Sequence, residues 1–374
     1  MNAITARRHR PLSTLITFVL MASSTMGLRS QKSKLPQNSN KNFNEPGPFT
    51  PETTEYAFKL PSSFSDLHVS SLPVHITAPV SSKTTKYPLL LFFSGFKMYS
   101  KYYANIINHA ASWGYVVVAY DFPFFKTPSV VREAALLDSL LANLKTQEHL
   151  YMIDFDTIVA AGHSRGAKLA ALLFADAKTT TTTTTITSKT ATKIQSLFLI
   201  DPVDCSKFAP ISDQNPSGVD ALVNDEKKNK IGIVGAGVLS GCNPLQYGNY
   251  IKFFNVSGHH SWELIIKGAS HSTFIDTGNG VLNFALDSFC HKARNISRQD
   301  TALLASTPMI AWFYNELKGG GEEGAHAMKG FYDWVNKERE EGRIEFNVRG
   351  SDDDDDAGRV LVGGIDAVQT AIMR

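Results

Sequence analysis

One five-residue segment constrains the fold of this 374-residue chain more than any other: Gly162-His163-Ser164-Arg165-Gly166, a G-x-S-x-G pattern. Residues 156–161, just before it, have the β-branched and small apolar side chains of a short buried strand. Residues 168–174, just after it, are apolar at nearly every position, as in a buried helix. A strand, a sharp turn and a helix in this order hold a serine hydroxyl in the open, with the next backbone N–H directed at an oxyanion. The segment therefore predicts a catalytic nucleophile at Ser164.

Apolar segments of strand and helix type alternate along much of the chain. Buried strands are predicted at 88–93, 114–120, 156–161, 194–200, 230–235 and 262–266, the last of which ends the series. Helical spacing of apolar residues predicts helices at 102–112 and 130–144. Alternation of this kind is typical of a mostly parallel sheet with helices on both faces. Together with the G-x-S-x-G turn, it predicts an α/β fold of the α/β-hydrolase type.

Composition limits the classes of function. A hydrophobic content of 43% in 374 residues supports one large core. A net charge of +2 is too small to indicate a nucleic-acid partner. The three cysteines show no C-x-x-C spacing, so we predict no metal site, and a Cys242–Cys290 disulfide stays open. We also predict no cofactor. We expect a leader and linker at 1–45, a catalytic domain at 55–317 and a C-terminal extension at 318–374.

The N-terminal residues have the layout of a targeting sequence. Basic residues precede an apolar run from Leu12 to Met21, and small residues follow it, as in a signal peptide. Residues 28–44 are basic, rich in Ser and Asn and free of acids, as transit peptides are. We therefore expect delivery to a plastid through a secretory-type leader. The alternative is a plain secretory signal, with the protein secreted or kept in the endomembrane system.

A nucleophilic serine needs a base, and the base needs an acid that orients it. In this type of fold the acid follows the serine along the chain, on a loop at the carboxyl edge of the sheet. Asp201 comes directly after the predicted strand at 194–200 and is followed by Pro202. We predict Asp201 as the orienting acid, with Asp204 as the alternative.

The same order places the histidine base after a later strand. His271 follows the strand predicted at 262–266, where a loop histidine reaches back across the sheet edge. His259 and His260 precede that strand and belong to its other end. We predict His271 as the base, and we expect His163, inside the elbow, to pack beside the nucleophile.

The remaining parts of such a site are an oxyanion hole and a substrate pocket. The backbone N–H of Arg165 and that of Phe96, in the loop after the strand at 88–93, are predicted to bind the oxyanion. Aromatic residues crowd the same edge, and Phe96, Tyr99 and Phe124 are predicted to line an apolar pocket. Core packing is the alternative explanation for this aromatic cluster.

Several motifs together resemble the chlorophyllases. They are Gly162-His163-Ser164-Arg165-Gly166, Ile200-Asp201-Pro202-Val203, and Phe253-Phe254-Asn255 leading to Trp262 and His271. The resemblance spans about residues 87–313 and differs from the family pattern at Ser94, Ala167 and Ser270. It implies a serine esterase that cleaves the phytyl ester of chlorophyll to chlorophyllide and phytol, with no metal of its own.

The resemblance also implies roles for individual residues. Ser164 attacks the ester carbonyl, His271 acts as base and then acid, and Asp201 orients it. The substrate would be a small molecule, chlorophyll or a related phytyl ester, which leaves open a peripheral association with pigment-bearing membranes. The alternatives are a general carboxylesterase or lipase acting on other apolar esters, and a non-catalytic pigment-binding protein on the same fold.

Overall fold

The computed structural model describes residues 42–80, 85–147, 150, 152–178, 194–207, 209–223, 229–318, 322–350 and 360–361. Most of the predicted leader and the end of the predicted C-terminal extension lie outside the described residues. None of the helices in the described ranges is both long enough and apolar enough to cross a membrane.

Within these ranges the strands and helices alternate along most of the chain. The strands are β1 (Pro51–Lys59), β2 (Ser71–Pro79), β3 (Tyr87–Phe93), β4 (Val116–Tyr120), β5 (Ile153–His163), β6 (Ile194–Ile200), β7 (Gly232–Val238), β8 (Trp262–Ser270), β9 (Ile344–Val348) and β10 (Val360–Leu361). The helices are α1 (Ala104–Ser112), α2 (Val130–Lys145), α3 (Arg165–Lys178), α4 (Gly218–Val223), α5 (Tyr250–Asn255), α6 (Gly280–Cys290), α7 (Arg298–Lys318) and α8 (Glu322–Glu340).

The strands form one sheet in the order β1-β2-β4-β3-β5-β6-β7-β8-β9-β10. The pairs from β4 to β8 are all parallel, whereas β1, β2, β9 and β10 join the sheet antiparallel at its two sides. This mostly parallel sheet, with helices on both faces, confirms the predicted fold class. The carboxyl ends of β3, β5, β6, β7 and β8 all lie at one edge, where the predicted site residues follow them.

Each face of the sheet has its own apolar core, and the strand alternation divides residues between them. Leu90 packs in the core that includes α1, α7 and α8, whereas Leu91 packs in the core that includes α2 and α3. Both side chains are at most 1% exposed. Strands covered on both faces read as continuous apolar runs, which is why the central strands are readable from sequence.

The prediction that the strand at 262–266 ends the sheet is wrong. β9 pairs antiparallel with β8, with Trp262 opposite Val348. The Trp262 ring also stacks on Phe331 of α8, with 5.1 Å between ring centroids. Residues of the predicted C-terminal extension thus supply a strand and a helix to the same sheet and core, where sequence spacing indicated only a helical and partly extended segment.

Candidate active site

The G-x-S-x-G segment forms a tight turn between β5 and α3. Ser164 has φ +57°, a left-handed conformation that costs energy for a residue with a Cβ. A Cβ on Gly166 would lie 2.2 Å from the Phe93 carbonyl oxygen, and one on Gly162 would lie 2.6 Å from the Gly166 backbone. Both glycines are therefore needed for the turn to fit between the strand and the helix.

The turn places the Ser164 hydroxyl beside His271, which begins a 3₁₀ turn directly after β8. The His271 Nε2 lies 2.9 Å from Ser164 Oγ, and its Nδ1 lies 2.6 Å from Asp201 Oδ2. An ionised Asp201 accepts a hydrogen bond from Nδ1–H, which leaves Nε2 free to accept the proton of the serine hydroxyl. The structure thus brings the three predicted residues into one chain of hydrogen bonds.

Asp201 is fully buried and is held by groups from β7 and from the loop that follows it. The backbone N–H of Ala236 donates to its Oδ1 at 3.1 Å, and the Asn243 side chain donates to its Oδ2 at 3.1 Å. Residue-by-residue reasoning from the sequence assigned no role to Asn243. Its place in the loop after β7, the strand next to β6, is the signal that could have found it.

The alternatives to Asp201 and His271 lie elsewhere. Asp204 accepts hydrogen bonds from Ser217 Oγ and from the backbone N–H of Gly218, both at 2.6 Å, and burial raises the pKa of its carboxyl. His259 bonds the Gly350 carbonyl at the amino end of β8, away from Ser164. The structure brings neither residue to the hydroxyl of Ser164.

His163 packs directly against His271 and connects it to the loop after β3. The two imidazole centroids lie 4.6 Å apart, and burial lowers the pKa of His163 well below its usual value. The Tyr103 hydroxyl accepts a hydrogen bond from the Gly95 N–H at 3.0 Å and donates one to His163 Nδ1 at 2.9 Å. A neutral His163 thereby links the Gly95 loop to the base, a contact the sequence did not reveal.

The predicted oxyanion donors, Phe96 and Arg165, line the same cavity as Ser164. Phe96 is in the turn after β3 that the Met98 N–H closes onto the Gly95 carbonyl at 3.0 Å. Arg165 is the first residue of α3, and N–H groups in the first turn of a helix have no partner within it. The Arg165 side chain donates a hydrogen bond to Glu133 Oε2 at 2.6 Å. Both residues line the cavity that Ser164 faces, and their role as oxyanion donors stays a prediction.

That cavity has a volume of about 800 Å³ and is walled largely by apolar side chains. Phe96 and Phe124 line it as predicted. Tyr99 does not: its ring packs edge-on against Tyr102, with centroids 5.7 Å apart. Side chains that sequence reasoning did not place there include Met98, Val203, Tyr247, Leu286 and Phe289.

A chlorophyllase family model matches residues 46–330 of the chain. The chain belongs to the chlorophyllase family. It is 35% identical over 108 residues to Chlorophyllase-1 from Arabidopsis thaliana, a match over 26% of this chain and 31% of that protein. The chain thus spans about a third of the length of the curated relative it matches.

A solved structure also resembles this family member. The ferulic acid esterase from Streptomyces cinnamoneus has a TM-score of 0.52 and 16% identity, over 75% of this chain and 95% of that one. At this identity the likeness shows the fold alone. Membership of the chlorophyllase family on an esterase-type fold supports a carboxylic ester hydrolase.

The structure gives physical context to two departures from the chlorophyllase pattern. Ala167, on the first turn of α3, is fully buried, so its methyl group is accommodated in the core. The Ser94 hydroxyl, just before Gly95, is buried without a hydrogen-bond partner among the described residues. Neither side chain belongs to the hydrogen-bonded chain of Ser164, His271 and Asp201.

A buried lysine fastens one cavity wall to the elbow helix. Lys168 Nζ donates to the Asp204 carbonyl at 2.5 Å and to Asn215 Oδ1 at 3.0 Å, and its side chain is 1% exposed. Burial lowers its pKa from 10.5 to about 8. Asp204 and Asn215, both in the cavity wall, are therefore anchored to the helix that follows the nucleophile.

Two further features bear on the chemistry available at the site. Cys242 and Cys290 are joined in a disulfide, and both line the cavity. Within the part of the chain that the structure describes, one group of side chains has donor atoms near enough to share a metal ion: His163, Asp201 and His271. Both ring nitrogens of His271 already form hydrogen bonds, one with Ser164 and one with Asp201. That the protein has no metal cofactor stays a prediction.

Proposed function

We propose that this chain hydrolyses the phytyl ester of chlorophyll to chlorophyllide and phytol by a Ser-His-Asp mechanism. The observation that carries the proposal is the continuous hydrogen-bonded chain from Ser164 through His271 to Asp201. Chlorophyllase family membership supports the substrate class, and the large apolar cavity beside Ser164 is suited to a hydrophobic ester.

In the first half-reaction Ser164 Oγ attacks the ester carbonyl while its proton passes to His271 Nε2. The buried Asp201 carboxylate stabilises the imidazolium that forms and keeps the ring in position. The N–H groups of Phe96 and Arg165 bind the negative charge that develops on the carbonyl oxygen. Collapse of the tetrahedral intermediate breaks the bond to the alcohol oxygen, and His271 gives its proton to the departing phytol.

The second half-reaction returns the enzyme to its starting state. A water molecule attacks the acyl-Ser164 carbonyl while His271 takes one of its protons. Breakdown of the second intermediate releases the acid, chlorophyllide, and His271 returns the proton to Ser164 Oγ. The magnesium of chlorophyll belongs to the substrate and takes no part in these steps.

The experiment that tests the proposal is chlorophyllide release from chlorophyll a by the purified chain, with Ser164→Ala as the control. Loss of the nucleophile is expected to lower the rate by about 10⁴-fold or more. Fluorophosphonate labelling of Ser164 serves as an independent readout of nucleophilicity. Labelling without chlorophyllide release would reject the chlorophyll substrate and leave an esterase; neither labelling nor release would leave a pigment-binding protein.

A general carboxylesterase or lipase is the second candidate, because the cavity wall is apolar without a residue pattern specific to one ester. Relative values of kcat/KM on a phytyl ester and on short-chain esters of the same acid separate the two. The proposal expects the phytyl ester to be preferred. Equal or higher values on the short-chain esters would favour the general esterase.

The choice between two neighbouring acids gives a matched test of the mechanism. Asp201→Asn removes the charge that orients His271 and is expected to lower kcat by about 10⁴-fold. Asp204→Asn removes a charge of the same type whose contacts are to Ser217 and Gly218, so kcat is expected to stay within about tenfold once thermal stability is matched. An equal loss in both variants would reject the assignment of Asp201.

The plastid destination is also part of this proposal and is supported by the layout of the first 45 residues. The full chain with a fluorescent protein at its C-terminus should accumulate in plastids of an alga with secondary plastids. Accumulation in the medium or in the endomembrane system would reject it.

A further inference from the structure

Helix α6 presents most of its apolar side chains to solvent. The outer face of α6, defined here by Val281, Leu282, Phe284, Ala285 and Phe289, is exposed at every position. Val281 is 80% exposed, Phe284 73% and Phe289 72%. A surface helix of a globular protein normally turns such residues inward. The outer face of α6 is therefore an exposed apolar patch of the kind that marks an interaction site.

The opposite face of α6 is fixed to the protein by Leu286, which packs against the core, and by hydrogen-bonded polar side chains. Asn283 Oδ1 accepts hydrogen bonds from the Thr277 N–H and hydroxyl at 3.2 and 2.8 Å. Asp287 accepts one from Ser272 Oγ at 2.7 Å and forms an ion pair with Arg298 at 2.5 Å. These contacts fix the rotation of the helix about its axis, so its apolar face stays outward.

A second exposed apolar element borders the same cavity. Phe125 is 85% exposed, and its ring lies 5.0 Å from that of Phe124, which lines the cavity. On the α6 side, Leu286 and Phe289 line the same cavity. The outer face of α6 and the Phe124–Phe125 pair thus continue the apolar wall of the cavity onto the molecular surface.

Positive charge accompanies this apolar rim. The Lys97 amino group lies 5.3, 4.8 and 5.8 Å from the ring centroids of Phe96, Phe124 and Phe125. Lys126, next to Phe125, and Lys207, on the cavity wall, are exposed. The charged residues that line the cavity are Lys97, Arg165, Lys168 and Lys207 on the basic side and Asp204 on the acidic side. Lysines beside exposed aromatic rings are typical of surfaces that lie at an anionic bilayer interface.

We propose that the outer face of α6 and the Phe124–Phe125 pair insert into the interfacial layer of an anionic lipid bilayer, with the cavity mouth facing the lipid. This inference rests on the proposed function, because a phytyl ester is a substrate that resides in lipid. Apolar side chains enter the acyl boundary while Lys97, Lys126 and Lys207 meet the headgroups. A lipid-dissolved ester then reaches Ser164 without passing through water.

A local fluorescence readout tests docking without requiring catalysis. In the full chain, Phe284→Trp places an indole on the outer face of α6, and Val80→Trp is the matched control. Val80 is 55% exposed just after β2, a strand antiparallel to β4, and so lies at the sheet edge opposite the cavity. Vesicles of anionic phospholipid with brominated acyl chains should quench the tryptophan fluorescence of Phe284→Trp more than that of the wild type. The fluorescence of Val80→Trp should be quenched no more than that of the wild type. Equal quenching, or none, would overturn the proposal.

A double variant connects docking to turnover. Val281→Ser/Phe284→Ser removes two apolar side chains that do not line the cavity. Hydrolysis of a phytyl ester held in anionic vesicles should fall about tenfold or more, while hydrolysis of a water-soluble short-chain ester stays within about twofold. An equal loss on both esters, or none on the vesicles, would reject the docking role.

The outcomes separate this inference from the proposed function and from another occupant. Quenching of Phe284→Trp without hydrolysis of any ester would sustain the docking face and reject the ester hydrolase. Sedimentation of the wild type as a dimer that Val281→Ser/Phe284→Ser converts to a monomer would assign the face to a second copy of the chain and overturn the lipid assignment.

Discussion

Helices α3 and α6 both border the active site and are both rich in apolar residues, yet they use those residues in opposite ways. In α3, Leu169 and Leu173 are fully buried, whereas in α6 Val281 and Phe284 are 80% and 73% exposed. The one lysine of α3 that faces the cavity is buried with its charge bonded, whereas α6 turns Asn283 and Asp287 toward the protein. A high apolar content therefore indicates that a helix packs against a partner. It does not indicate whether that partner is the protein's own core or another molecule.

The difference follows from where each helix stands relative to the sheet. Leu169 and Leu173 of α3 belong to the same apolar core as strand residues of β3, β5 and β6, so those strands cover its side chains. α6 lies beyond the carboxyl end of β8, where the polar turn around Ser272 is its inner neighbour. A helix in that position leaves its outer face for solvent or for a partner.

The largest effect should come from truncating one apolar residue in each helix. Leu173→Ala is expected to lower the free energy of unfolding by about 2–5 kcal/mol, because it opens a cavity in the core. Phe284→Ala should change it by about 0.5 kcal/mol or less, because the side chain is exposed. Urea denaturation of both variants measures the pair. A loss from Phe284→Ala as large as that from Leu173→Ala would show that the protein itself covers the outer face of α6.

A second comparison addresses the polar inner face of α6. Asp287→Ala leaves Arg298 without its anion and Ser272 without its acceptor, and is expected to lower the free energy of unfolding by about 1–3 kcal/mol. Ser288→Ala, an exposed position of the same helix, is the control and should change it by about 0.5 kcal/mol or less. Thermal unfolding followed by circular dichroism compares the two. Equal stabilities would mean that the polar contacts do not hold α6 in place.

The smallest effect concerns the buried lysine of α3. Its folded pKa of about 8 lies below the ordinary 10.5, so between these values the unfolded chain binds more protons than the folded one. The contribution of Lys168 to stability is therefore fully present above pH 10.5 and is lost as the pH falls through 8. From pH 8 to pH 9 the wild type should gain about 1 kcal/mol relative to Lys168→Met.

Urea denaturation at the two pH values measures this gain, with Lys145→Met, an exposed lysine at the end of α2, as the control. The wild type should show no such gain relative to that control. An unchanged difference between the wild type and Lys168→Met would mean that α3 buries the ammonium group less than its contacts indicate.

These contrasts also explain which parts of the molecule could be predicted from sequence. The parallel strands and the Gly162–Gly166 turn are continuous in sequence and buried on both sides, so their residue types are dictated locally. Asp201 and His271 could be predicted from a rule about strand ends, because each residue directly follows its strand. β1 and β2 were not predicted, because both are partly exposed and interrupted by polar residues.

The missed features depend on contacts between segments far apart in the chain. The Asn243 amide meets Asp201 from a loop 42 residues away, and Tyr103 meets His163 across 60 residues. The aromatic residues near it in sequence predict Tyr99 in the cavity wall. In the structure its ring packs against Tyr102 instead. Which face of α6 points outward also depends on contacts outside the helix, since Ser272 and Arg298 bond to Asp287 across 15 and 11 residues.

The bond between Cys242 and Cys290 connects two parts of the site. Cys290 ends α6, and Cys242 precedes Asn243, whose amide holds the Asp201 carboxylate. Forming the bond removes two electrons and two protons from a pair of thiols, so an oxidant must be present while the chain matures. A chain that passes through an oxidising compartment arrives with α6 tethered to the loop that steadies Asp201. One kept under reducing conditions arrives with two free thiols and without that tether.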